Sequence, residues 1–115
     1  MAAESWTDRF NNVVRRLNQD PGYREIVLRR LYALVNPPSE FDLASAIHAR
    51  IHSGELKVSY RVRSPETGAG LGEYSDIADV PHEIRDPTSD LTFEVQPARD
   101  IEVVYRRPDV LSPHP

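Results

Sequence analysis

The spacing of apolar residues changes at Gly54, and that change limits the fold more than any other feature of the chain. Before Gly54 apolar side chains recur at helical intervals. After it they alternate, with Leu56, Val58, Tyr60 and Val62 on one side and Lys57, Ser59, Arg61 and Arg63 on the other. A period near 3.6 buries one stripe of a helix and a period of two buries one face of a strand. The chain therefore divides into a helical first half and a sheet-forming second half, an α+β arrangement.

Three helices are expected. In SWTDRFNNVVRRLNQ the residues Trp6, Phe10, Val13, Val14 and Leu17 form one narrow stripe, with Ser5 placed to cap the first amides and Asp8 three residues later. Asp20 and Pro21 read as the cap and first residue of a second helix, which carries Tyr23, Ile26, Val27, Leu28, Leu31, Tyr32, Leu34 and Val35. These apolar positions cover more than half of its circumference. Such a helix is either central or turns part of its apolar surface toward a partner. NPPSE ends it, because proline lacks an amide proton and disfavours helix in the residue before it. Ser39 or Asp42 then caps a third helix with Leu43, Ala44, Ile47 and Ile51 as its buried stripe and Gly54 at its end.

Beyond the strand from Glu55, Leu91, Phe93 and Val95 outline a second strand and Ile101, Val103 and Tyr105 a third, with QPARD joining these two as a hairpin. The expected sheet is small, antiparallel and three-stranded. Residues 64–90 form a long connection with a short helical turn at Ser75 to Val80, and a connection of that length usually has a function or is disordered. Residues 1–107 read as one domain and 108–115 as a flexible tail.

The charge is unevenly placed. From Met1 to Pro65 nine Arg and one Lys face seven acids, +3; from Glu66 to Glu94 eight acids face Arg85 alone, −7; the remainder balances. The total of −4 disfavours a nucleic-acid backbone as the default partner. With no cysteine, disulfides, thiolate metal sites and cysteine nucleophiles are absent together. No apolar run approaches the ~20 residues of a membrane span, and the N-terminus lacks a signal-peptide layout. A cytoplasmic location without a membrane partner is expected.

Several stretches suggest chemistry. His48 and His52, four apart on the third helix, lie on one face and share the spacing of a metal pair. However, Ala49 stands where the metalloprotease pattern needs glutamate, and a third ligand would have to come from His82, Glu83 or the loop. Histidine at a helix C-terminus is already explained by the exposed carbonyls there, so no metal or cofactor is expected. TGAGLGEY has Glu73 where a phosphate-cradling loop needs its third glycine. No serine sits in a nucleophile-elbow pattern. The acids Asp76, Asp79, Glu83, Asp86 and Asp90 read as a solvated surface, and no catalytic residue is assigned.

Three helices, the last two joined by a short turn, then a strand, a long loop and returning strands resemble a winged-helix domain. The resemblance is carried by REIVLRRLYALVNPPSEFDLASAIHARIHSGELKVSYRV, Arg24 to Val62, with support from the strands up to Tyr105. It implies a recognition helix at Ser39 to Ser53 and a wing at Ser64 to Asp90. The outer positions Asp42, Ser45, Ala49 and His52 include no Arg or Lys, whereas duplex readers recruit Arg, Lys, Asn or Gln. The wing is strongly acidic. Both surfaces fit a duplex poorly, so the expected function is a non-enzymatic protein-binding or adaptor module. A DNA-binding regulator and an acidic nucleic-acid mimic are the alternatives. Candidate partner-binding residues are Tyr32, Phe41, His52, Lys57, Arg61, Arg63 and Tyr74. The basic residues Lys57, Arg61 and Arg63 would either pair with Glu94 or Glu102 or meet an acidic partner, including another copy of the chain.

Overall fold

The computed structural model describes residues 4–108, so residues 109–115 of the expected tail lie outside the described residues. Two compact units result. Among the described residues the first comprises 4–58 and 105–108, and the second comprises 59–104.

In the first unit α1 spans Trp6–Gln19 and buries Phe10, Val13, Val14 and Leu17, the stripe its spacing predicts. Its start is a reciprocal cap: Ser5 Oγ accepts from the Asp8 amide at 3.1 Å, and Asp8 Oδ2 accepts from the Ser5 amide. Both donors would otherwise be unsatisfied in the helix. Ser5→Ala is expected to lower stability by ~1 kcal/mol, read as a shift of the urea midpoint with an unchanged slope.

The second helix is shorter than its apolar run implies. Asp20 closes α1 instead of opening the next helix, donating its amide to Arg16 O, while its carboxylate accepts from the Gly22 amide at 2.9 Å. A turn follows, with the Arg16 guanidinium 4.3 Å from the centre of the Tyr23 ring. Ile26–Val27 form a short strand, β1, and α2 covers only Leu28–Val35. Asp20 has one carboxylate, and its use in the turn leaves none for a helix start at Pro21. Asn36 ends α2 in the left-handed region, φ 49°, with its amide on Tyr32 O. Arg9 Nε donates to Val35 O at 2.9 Å, satisfying one of the free carbonyls at that end.

Ser39 caps α3, Glu40–His52, accepting from the Asp42 amide and donating to the Asp42 carboxylate. Only Leu43 and Ile47 are fully buried on α3; Ala44 is exposed and Ile51 half-buried, so the buried stripe is narrower than expected. Gly54 takes the positive φ that turns the chain toward the strands. Arg106, buried, donates to Glu25 at 2.8 Å, which satisfies a charge that would be costly to leave alone.

The strands are β2 (Lys57–Arg63), β3 (Gly70–Tyr74), β4 (Glu83–Asp86), β5 (Leu91–Glu94) and β6 (Ile101–Arg106). They build a four-stranded sheet in the order β1-β6-β2-β3 and a two-stranded sheet of β4 and β5. The α+β class is found, but with more strands than the three expected. Residues 64–90 hold β3, β4 and a single tight helical turn at Ile77–Asp79. QPARD is not a hairpin turn between paired strands. Pro97–Asp100 winds into one turn of helix, α4, with the Gln96 amide on Asp100, and the chain passes into the other sheet. Consequently β5 pairs with β4, Glu83 facing Glu94 and Asp86 facing Leu91. On β2, Ser59 and Val62 are buried while Val58 and Tyr60 are half-buried, so the simple alternation is not kept.

The second unit has a thin apolar interior, Val62, Val95 and Val104, and an unusual share of buried polar groups: Ser59, Ser64, Asp86 and Asp100. Asp86 organises them. Its carboxylate accepts from the hydroxyls of Ser64, Thr88 and Ser89 and from the Thr88 amide, while Ser64 Oγ also accepts from the Glu66 and Thr67 amides. The turns at 64–68 and 86–90 are thereby tied together, with Thr67 and Thr88 hydroxyls bonded at 2.7 Å.

Candidate functional site

The outer face of α3 is exposed at Phe41, Ala44, Ser45, His48, Ala49 and His52. These positions follow the 3.6-residue repeat, because Leu43 and Ile47 hold the opposite side against the interior. None of the six is Arg, Lys, Asp or Glu. His48 and His52 are both exposed, and among the described residues no group of three His, Asp or Glu side chains is placed to hold a metal ion. Arg50, the strongest candidate on this helix for a phosphate contact, is already engaged. It donates to Glu55 at 2.6 Å and to Asn11, and lies 5.8 Å from the centre of the Phe10 ring. Hydrogen bonds from Ser53 and then Arg50 hold the Glu55 carboxyl below its ordinary range.

Large apolar side chains are exposed on this face and elsewhere in the same unit. Phe41 is 78% exposed, Leu34 39% and Tyr32 38%, and Ala33 and Pro38 are exposed as well. With Leu31 and Val35 turned inward, Tyr32 and Leu34 fall on the two flanks of α2 and stay partly in water. Arg29 and Arg30, on the first turn of the same helix, are exposed too, as is Arg24.

The sheet residues behave differently. Arg61 lies 3.2 Å and Arg63 3.0 Å from the Glu102 carboxylate, one of the alternatives open to them, and Arg63 also donates to Gly68 O. Lys57, at the start of β2, is half-buried. Tyr74 faces Tyr60 across β2 and β3 and folds over Gly72, where an added Cβ would come 3.0 Å from its hydroxyl. The glycines of TGAGLGEY thus serve a positive-φ turn at Gly68 and a ring-covered strand at Gly72. Of the seven candidates, Tyr32, Phe41 and His52 share the first unit as exposed groups, while Arg61, Arg63 and Tyr74 are half-buried in the second.

The loop acids also separate by role. Asp86 is buried at the centre of its network; Asp76 caps the tight turn by accepting from the Ala78 amide; Asp90 pairs with Arg85. Leu34 was not among the candidates, although the excess of apolar positions on the second helix was the signal that could have found it. Among the described residues no helix is long and apolar enough to cross a membrane. Comparison with family models, with curated proteins and with solved structures finds no match, so function is argued from the geometry alone.

Proposed function

We propose that the chain is a cytoplasmic, non-enzymatic protein-binding or adaptor module of winged-helix type, with α3 in the place of the recognition helix and residues 64–90 in that of the wing. The order of elements supports this: three helices, a tight turn of 36–39 between the last two, β2, a long excursion, and β6 returning beside β2. The observation that carries the functional reading is Phe41. A mostly exposed aromatic ring on an outer helix face without Arg, Lys, Asn or Gln fits apolar docking to polypeptide better than duplex recognition, which draws on those residues.

Affinity purification from the native cell, with and without nuclease, tests it. Protein partners should survive nuclease treatment and should fall by about tenfold or more when the bait carries Phe41→Asp, with the circular dichroism spectrum unchanged. Partners lost with the nucleic acid, or a duplex affinity that drops steeply as salt rises, would instead establish the DNA-binding alternative.

A further inference from the structure

We infer that His48 and His52 chelate a transition-metal ion of the class that prefers imidazole, copper, nickel or zinc, on the outer face of α3. This inference goes beyond the protein-binding reading and does not depend on it.

Helix geometry supports it first. α3 runs unbroken from Glu40 to His52, so the two histidines stand about one turn apart on a single face. Residues four apart on a helix have Cβ atoms about 5–6 Å from each other. An ion bound at about 2.0–2.1 Å by each imidazole needs one nitrogen on either side of it, and this spacing supplies that with staggered side chains. The neighbours three and four positions away on the same face are Ala44, Ser45 and Ala49, all exposed and small. Neither ring therefore has to displace a side chain to turn toward the other.

The contacts at the helix end leave both rings available. A histidine there often hydrogen-bonds the last carbonyls, but in α3 other groups take them. The Ser53 amide donates to Ala49 O, the Glu55 and Leu56 amides to Arg50 O, and the Gly54 amide to Ile51 O. Neither imidazole makes a hydrogen bond or ion pair among the described residues. The negative end of the helix dipole that suits a protonated histidine suits a metal dication equally. Arg50, the fixed cation of the last turn, is held by Glu55 and Asn11. The donors then decide the class of ion. Copper, nickel and zinc accept imidazole, whereas magnesium and calcium require oxygen, and the exposed face of α3 offers no carboxylate beside the pair. Two donors leave the remaining coordination positions to water or to a donor group from another molecule.

The test is calorimetric titration of the full, untagged chain with Ni²⁺, Zn²⁺, Cu²⁺ and Mg²⁺ alone. Nickel and zinc should each bind the pair, copper more tightly than either, and magnesium should not bind. His48→Ala and His52→Ala should each weaken nickel binding by about tenfold or more, and the double variant should lose little further, because a chelate is lost with either arm. Alanine at these exposed helical positions preserves the fold, which circular dichroism checks. His82→Ala with His114→Ala, which removes the chain's other two histidines, should leave binding at the pair unchanged. His48→Ala with Ser45→His keeps two imidazoles on the face but separates them by about 10 Å along the helix. That variant should bind no better than His48→Ala. Wild-type affinity in either single variant or in the respaced variant, or magnesium binding as tight as nickel, would overturn the inference. Partners that depend on Phe41 are unaffected by either result.

Discussion

Leu31→Ala should destabilise the first unit by about 2–5 kcal/mol, because Leu31 is fully buried and its removal leaves a cavity in addition to losing apolar contact. The effect should fall at the upper end of that range. α2 has eight residues, no side-chain cap and no acid in its first turn, so it depends on packing to be helical at all. Urea unfolding should show a lower midpoint, and amide exchange in Leu28–Val35 should accelerate more than in α1. Phe41→Ala supplies the contrast: its ring is mostly in water, so stability should change by no more than about 0.5 kcal/mol while partner binding is lost. If Phe41→Ala unfolds the protein, the ring is structural and the proposed binding face has no basis.

Asp86→Asn should produce the largest loss in the second unit, with a fall in Tm on the order of 10 °C at neutral pH. Burial by itself pushes the Asp86 carboxyl up. The hydroxyls of Ser64, Thr88 and Ser89 and the Thr88 amide outweigh burial and hold the group well below the usual carboxylate range. A carboxyl whose folded value lies below its unfolded value of about 4 stabilises fully above the unfolded value and loses that contribution as pH falls through it toward the folded one. Wild type and Asp86→Asn should therefore differ most above about pH 5 and draw together progressively as pH falls below about 4 toward the folded value. Asp100 acts in the same direction, held low by its hydrogen bond from Arg99, against burial and with help from the Gln96 amide, so some acid sensitivity should persist in the variant. A stability difference independent of pH would show that Asp86 acts through its shape and not its charge. Amide exchange in 64–68 and 86–90 locates the change.

The ion pairs of the sheet show how far residue pattern reaches. Placing Arg61 and Arg63 on the polar side of β2 left Glu94, Glu102 or an acidic partner molecule to meet them, because alternation determines which side chains share a face, and the fold brings Glu102 to both. The same reasoning failed at β5. Its alternation was read correctly as a strand, yet nothing local distinguishes β4 from β6 as its neighbour. The helical turn Pro97–Asp100, held by the carboxylate of Asp100, sends the chain to the other sheet. Likewise Asp20–Pro21 carries every local mark of a helix start, and loses that role because Asp20 closes α1 and holds Gly22.

At the candidate site, Phe41 and Tyr32 could be named from residue type, whereas the apolar excess of the second helix pointed to Leu34 only as one of several positions, since which of them is exposed depends on the boundaries of the helix. Asp86 stood among five loop acids with no mark to separate it from Asp90. One is buried under three hydroxyls and the other is paired with Arg85 in solvent.

Local order thus followed from residue pattern alone: the stripe and cap of α1, a capped start of α3 at Ser39 or Asp42, the break at Asn36 to Pro38, the change to strand after Gly54, and the separation of basic from acidic segments. These depend on neighbours three or four positions away, whose distances the covalent chain already sets. Tertiary structure decided which strands pair, where α2 begins, which acid becomes an anchor and which apolar residues are left facing water. Each of those outcomes depends on groups distant in sequence competing for the same hydrogen bond or the same buried space, and that competition is resolved only when the whole chain is folded.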